Sequence, residues 1–304
     1  MSLDTDALID RRRLKRRLTL WRVVAVLALL AVALVAFGQR GETPWAKSHV
    51  ARLSVEGVIT DDRARDEALK AIAEDANVKA LIVYIDSPGG TVVGGENLYA
   101  RLRQIAAKKP VVATLGTVAA SGGYMAAIGA DYILARNGTV TGSIGVLMQT
   151  TEFTGLMDKL GIEAEAIKSA PLKAVPSPFE KLTPDGREAT LQVVMDMYDM
   201  FVGMVAERRQ LAPEAARKLG DGRVYTGRQA VENRLVDAIG GEAEARDWLA
   251  ETRGVGRATP VRELRIKRPD DSLPGILGKV AGKALFSERL TLDGLVSLWH
   301  PDLR

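Results

Sequence analysis

Residues 23–37 are unbroken apolar sequence, and residues 18–37 carry a single charge, Arg22. At 1.5 Å of rise per residue the uncharged run falls slightly short of a hydrocarbon core of about 30 Å. Arg22 can extend it by sending its charged head to the interface, where Trp21 is also at home. The pattern predicts a membrane-spanning helix. Further on, residues 50–58 alternate as a strand, and residues 62–75 show helical spacing at Ala68, Leu69 and Ile72. The continuous apolar run 80–85 predicts a buried strand ending in a Pro-Gly-Gly turn. A helix over 96–107 places Leu98, Leu102 and Ile105 on one face. A buried strand over 111–115 runs through a turn into a helix headed by Ser121-Gly122-Gly123, and a further strand follows at 132–135. Strand, helix, strand, helix at this spacing predicts an α/β fold with mainly parallel pairing.

The second half is less regular. Residues 140–145 form a glycine-punctuated turn into a strand, residues 153–160 a short helix and residues 162–167 a strand. Three prolines make 174–184 an extended loop, and 185–209 is the longest helix, its methionines assigned to core or subunit contact. Two short helices and a turn at 221–225 complete the compact part near Arg253. Beyond it, 253–268 carries six Lys and Arg against one Glu, read as a solvated strand or tail with an anionic membrane surface as the sharper alternative. Residues 273–286 and 290–299 have the pattern of amphipathic helices.

Charge sharpens the topology. The formal net charge of +4 is carried by residues 1–22, where seven Lys and Arg face Asp4, Asp6 and Asp10, so the remainder is neutral. The basic excess therefore marks the flank of the apolar segment and no nucleic-acid surface. It puts the amino-terminal end in the cytoplasm and everything after residue 38 outside. Ala36-Phe37-Gly38 resembles a signal-peptide cleavage site, but the apolar run is longer than most such segments, which favours a retained anchor. The absence of cysteine removes thiol nucleophiles and thiolate metal sites. With only His49 and His300, near the two ends of the outer part, a histidine metal site and a Ser-His pair are both disfavoured. No cofactor or metal is expected.

What remains is a serine in an unusual place. Ser121 stands at a predicted helix N-terminus among small residues, beside unpaired N–H groups, where a nucleophile would generate its oxyanion. Serine is also an ordinary helix cap, the plainer explanation. Asp86-Ser87-Pro88-Gly89-Gly90 closes the preceding strand, and successive parallel strands end on one edge of a sheet, where α/β folds bind ligands. Gly90 and Gly122 can then offer two N–H groups to one carbonyl oxygen. With histidine disfavoured the base is a lysine, and Lys168 and Lys173 both follow a predicted strand among small residues and a proline.

Asp86-Ser87-Pro88-Gly89-Gly90, Ala119-Ala120-Ser121-Gly122-Gly123-Tyr124, Thr141-Gly142-Ser143-Ile144-Gly145, Ile167-Lys168-Ser169, Pro176-Ser177-Pro178 and the run from Asp221 to Ala230 together resemble the bacterial signal peptide peptidase A family, in its short, single-module form. The resemblance spans roughly residues 50–250. It implies a Clp protease/crotonase-like fold of repeated β-β-α units and a Ser/Lys serine endopeptidase that degrades signal-peptide remnants. By position it makes Ser121 the nucleophile, Lys173 the general base, Ser143 the hydroxyl that helps hold the lysine, and Gly90 and Gly122 the oxyanion donors. Where the family commonly has a glycine and a polar residue near the base, this chain has Ala170, Pro171, Leu172 and Ala174, which leaves Lys168 in reserve. It also implies a ring-shaped homo-oligomer, an octamer being one candidate, with the lysine serving a neighbour's serine. The expected organisation is a basic cytoplasmic segment (1–17), an anchor in the bacterial inner membrane (18–38), a linker (39–48), a periplasmic or extracellular peptidase domain (49–252) and a basic tail (253–304). A crotonase-type acyl-CoA enzyme and a non-catalytic membrane scaffold are the competing readings.

Overall fold

The computed structural model describes residues 15–30, residues 48–266 and the backbone of residues 295–298. The chain divides into two units, Met1–Lys47 and Ser48–Arg304. In the first, residues 15–30 form helix α1, with every side chain exposed. The rest of the apolar segment expected to span a membrane lies outside the described residues.

The second unit opens with β1 (His49–Ile59), α2 (Arg63–Glu74), β2 (Val78–Thr91), α3 (Val92–Ala106), β3 (Val111–Ala120), α4 (Gly122–Ala127) and β4 (Tyr132–Ala135). Each β-α-β crossover sets the next strand parallel, so β1, β2, β3 and β4 pair in that order with parallel register. The caps are legible in sequence. The Asp62 side chain accepts the Arg65 N–H at the head of α2, and Thr91 accepts the Gly94 N–H at the head of α3, which starts that helix four residues before the expected Glu96.

After β4 come β5 (Val140–Gly142), β6 (Leu147–Met148), α5 (Thr154–Leu160), α6 (Pro184–Arg209), α7 (Pro213–Leu219), β7 (Val224–Thr226), α8 (Gly227–Glu232), β8 (Ala238–Ile239), α9 (Glu242–Arg253), β9 (Val261–Glu263) and β10 (Leu295–Leu298). One hydrophobic cluster fills the face of the sheet under α2, α3, α4 and α6, around Leu81, Leu102, Tyr124 and Phe201. A smaller one lies around Ile82, Val112 and Leu249. α6 is, among the described residues, the helix long and apolar enough to cross a membrane by length and composition. Phe201, Val202 and Val205 bury in the domain core, whereas Leu191 and Met195 are 54% and 40% exposed. Its C-terminal half is thus a core helix and its N-terminal half an uncovered apolar surface.

Several expectations are corrected. The turns predicted at 86–90 and 116–120 are strand: β2 runs on to Thr91 and β3 to Ala120. No strand forms over 162–167. The alternation of Ile162, Ala164 and Ala166 with Glu163 and Glu165 has the right period, but a strand also needs an edge to pair with, and this segment lies on the surface with Ile167 97% exposed. The fold does not stop near Arg253, because β9, within the basic run, adds to the edge of β1 in parallel. Residues 295–298, expected within a helix, are a strand. The other helix expected, over 273–286, lies outside the described residues.

The short helix α4 is held at its far end by two arginines. Arg208 of α6 donates from Nε to the Ile128 carbonyl at 2.9 Å and from Nη2 to the Ala130 carbonyl at 3.0 Å. Arg103 of α3 donates to the Gly129 carbonyl at 3.2 Å. Burial, then the neighbouring Arg103 charge, push the Arg208 guanidinium below its ordinary value, an expense the carbonyls offset through charge-assisted hydrogen bonds. Arg208→Met should therefore lower the unfolding free energy by about 1.5–3 kcal/mol, read as a reduced urea midpoint at unchanged slope. An unaltered midpoint would mean that the clamp is not holding α4.

Candidate active site

The site begins with a side-chain-supported bulge in β2. Its register with β3 slips between Ile85 and Ser87, and with β1 between Glu56 and Val58. Bulges leave ladder groups unpaired, and the Asp-Ser-Pro-Gly-Gly residues satisfy them. The Asp86 carboxylate accepts the Val118 N–H of β3 at 2.9 Å. The Ser87 hydroxyl donates to the Gly57 carbonyl of β1 at 2.6 Å and accepts the Gly89 N–H at 3.1 Å. Gly90 then passes so close to β1 that a Cβ there would lie 1.7 Å from the Ile59 carbonyl oxygen. This explains the glycine without appeal to catalysis.

β2 and β3 are paired as far as Ser87 and Ala119. On the other edge of β3, Val118 to Ala120 pair with β5, where the Thr141 hydroxyl donates to the Ala119 carbonyl at 2.6 Å. Ser121 follows at once. Its N–H donates to the Gly142 carbonyl at 2.8 Å and its carbonyl accepts the Met125 N–H at 2.8 Å. Its backbone stands at φ 55° and ψ −120°, a conformation that favours glycine and costs a residue with a Cβ on the order of 1–3 kcal/mol. The side chain makes no capping hydrogen bond to α4, so the plain helix-cap explanation does not hold. Ser121 is 1% exposed.

The neighbours are packed for close approach. A Cβ on Gly123 would lie 2.8 Å from the Ser87 carbonyl oxygen, and one on Gly95 would lie 3.3 Å from the Gly122 Cα, so the heads of α3 and α4 are pressed together beside β2. Ser143, one residue past Gly142, is buried at φ 49°, and its N–H donates to the Arg223 carbonyl at 2.8 Å. The structure thus gathers Ser121, Gly122, Gly90 and Ser143 at one end of β2, β3 and β5.

The lysines fare differently. Lys168 is mostly buried and forms an ion pair with Glu180, so it is committed within its own loop. Lys173 lies in a turn where its N–H donates to the Ala170 carbonyl at 3.1 Å, and it is exposed. The inward direction expected for it is not found within a single chain. Sequence reading also missed Arg208 and the Gly142 carbonyl, which hold α4 and Ser121 through contacts that no local pattern announces. A cleft of about 520 Å³ lined by Arg52, Glu56, Tyr84 and Arg136 opens elsewhere and includes none of these residues. No group of three or more potential metal ligands occurs among the described residues.

Residues 103–256 match peptidase family S49. A Synechocystis sp. protein carrying a protease name is 40% identical over 211 residues, covering 69% of this chain and 76% of that protein. An Enterococcus faecium protein named for signal peptide peptidase SppA is 36% identical over 228 residues, covering 70% and 66%. The chloroplastic serine protease SPPA of Arabidopsis thaliana is 32% identical over 231 residues, 76% of this chain but 34% of that longer protein. Among solved structures, the membrane-bound stomatin-specific protease 1510-N gives a TM-score of 0.49 at 18% identity, covering 73% of this chain and 99% of that one.

The backbone strain at Ser121 is itself measurable. Ser121→Gly should be more stable than Ser121→Ala by about 1 kcal/mol, seen as a melting temperature higher by several degrees at matched conditions. Equal stabilities, or a more stable alanine variant, would mean that the left-handed backbone at this position is not under strain.

Proposed function

The chain belongs to peptidase family S49, the signal peptide peptidase A family, and from that premise we propose that it is a Ser121/Lys173 endopeptidase working on extended peptides. The observation that carries the reading is the setting of Ser121: a strained, enclosed backbone placed directly between the end of β3 and Gly122 at the head of α4. Its Oγ attacks the scissile carbonyl carbon while its proton passes to Lys173 Nζ. The N–H groups of Gly90 and Gly122 receive the oxyanion. As the tetrahedral intermediate collapses, the C–N bond breaks and the leaving amine takes the proton from Lys173. Water, deprotonated by the same lysine, then attacks the Ser121 ester carbonyl; the ester C–O bond breaks, Ser121 Oγ takes the proton back from the lysine, and the acid is released.

Lys173 comes from a neighbouring subunit in this proposal. Within one chain it is exposed while Ser121 is enclosed, and a general base has to lie within hydrogen-bond reach of its proton. Lys168, engaged with Glu180, is the poorer candidate. The loop bearing Lys173 leads into the uncovered half of α6, where Leu191 and Met195 supply an apolar surface for a second copy. A head-to-tail contact of this kind closes most simply as a ring. Ser143 would brace the incoming ammonium. The apolar segment 18–38 would anchor the ring with its domains outside the cytoplasm, and signal-peptide remnants, extended and membrane-retained, suit strand addition at a sheet edge.

Three variants test the reading. Wild type should label with a fluorophosphonate and hydrolyse a peptide, whereas Ser121→Ala and Lys173→Ala should each lose about three orders of magnitude or more in kcat while remaining folded. Co-refolding the two inactive proteins should return a fraction of wild-type activity, because mixed rings contain interfaces carrying both native residues. Recovery of nothing from properly mixed rings would place both groups in one chain. Near-normal turnover by Lys173→Ala, with loss in Lys168→Ala, would transfer the base to Lys168.

A further inference from the structure

Helix α9 covers only part of its face of the sheet. Val50, Ile82, Val112 and Leu134 pack there with Leu249. Every second residue of a strand faces the same side, and two residues further along stand Arg52, Tyr84, Thr114 and Arg136. These line an open cleft of about 520 Å³, bordered by Gly241 and Glu242 at the head of α9. Two glycines make room for its long side chains. A Cβ on Gly116 would lie 2.6 Å from the Tyr84 hydroxyl oxygen, and one on Gly241 would lie 2.3 Å from Arg136 Nη2.

Among its charges Arg52 is already engaged, donating from Nη1 to Glu242 at 2.9 Å and from Nε to Glu263 at 2.6 Å. Arg136 and Glu56 also line the cleft, and neither side chain makes a hydrogen bond or ion pair among the described residues. Glu244 feels the Arg136 charge, but its carboxylate is occupied by the Gly241 N–H at 2.7 Å. Thr114, 4% exposed, brings a hydroxyl with no hydrogen-bond partner among the described residues. Burial, then the Asp86 and Glu56 charges, raise the Tyr84 phenol above its ordinary value, so it stays protonated and able to donate. Ser54, Tyr84, Thr114 and Leu134 form one row across β1 to β4. Glu56 and Arg136 each lie two residues beyond that row, on its two outer strands. Three strand spacings, roughly 14 Å, separate their backbones.

We propose that this cleft binds a short peptide with both termini free, its carboxylate on Arg136 and its ammonium on Glu56. The ligand class follows from the two ends. A plain anion would leave Glu56 unanswered across the cleft, and a plain cation would leave Arg136 so; a zwitterion satisfies both. A tripeptide spans about 10 Å, and the two charged side chains cover the remaining distance. Its internal amides meet the hydroxyls of Thr114 and Tyr84 between them. The site shares no residue with the one around Ser121. Short free-ended peptides are also what the proposed hydrolysis releases, and that meaning, though not the binding, rests on the peptidase reading.

Calorimetric titration of full-length Ser121→Ala with trialanine should show one-site binding in the millimolar range or tighter. N-acetyl-trialanine and trialanine amide should each bind about tenfold more weakly, the loss expected for a hydrogen bond to a charged group. Adding Arg136→Gln should make trialanine and its amide bind equally. Adding Glu56→Gln should do the same for trialanine and its acetyl form, both at unchanged melting temperature. This pairing of end group with side chain locates the ligand, because a peptide seated in another groove would depend on neither. Absence of binding to folded protein overturns the proposal, as do equal affinities for the three peptides or an end-group dependence that both variants retain. Binding that tolerates acetylation and is lost only on amidation also overturns it, assigning the cleft a simple carboxylate. Should a variant fail to fold, the three peptides on the native cleft decide alone. Fluorophosphonate labelling of the wild type judges the peptidase reading separately: labelling without trialanine binding removes the cleft and keeps the enzyme, and binding without labelling does the reverse.

Discussion

The Asp86 carboxylate accepts the Val118 N–H at 2.9 Å across a register slip between β2 and β3, and the end of the domain that holds Ser121 is arranged around that bond. It lets two parallel strands remain joined while they fall out of step. β3 ends at Ala120, held by β2 on one edge and β5 on the other, and Ser121 follows at once. β2 runs on past that last pairing to Thr91.

Strain and clamping are the two sides of how Ser121 is held. A left-handed serine persists only if its surroundings over-determine it. Here the constraints are the Gly142 carbonyl on its N–H, the contact of Gly123 with Ser87, and the arginines that secure the far end of α4. α6 connects that clamp to the loop carrying Lys173, since its last turn holds Arg208 and its first residue follows the loop. A subunit contact on the exposed half of α6 would therefore bear on both halves of the proposed dyad through one rigid element.

The chain's own tail covers the part of β2 that runs on past β3. An open strand edge in a soluble domain invites pairing with any extended segment. Here β10 fills it, pairing with Gly89, Gly90 and Thr91.

Much of this was legible in the sequence because it rests on local rules. The strands of residues 50–58, 80–85 and 111–115 are marked by apolar runs and alternation, α2 is announced by Asp62 at its cap, and the glycines beside Ser121 signal close approach. The reading of 86–90 as a turn failed because Pro-Gly-Gly serves a turn and a bulge equally; the choice fell to Asp86 and Ser87, whose partners Val118 and Gly57 are distant in sequence. The 162–167 segment had a strand's period and no edge to pair with. For 295–298 the reverse held: a helical pattern was overridden by the edge that β2 offers where it runs on beyond its last pairing with β3. Sequence by itself determined where the chain can be buried or bend, since those preferences belong to single residues and their near neighbours. Tertiary structure alone decided which edge stayed open and which segment closed it, because a hydrogen-bonding edge comes into being only when strands far apart in the chain have met.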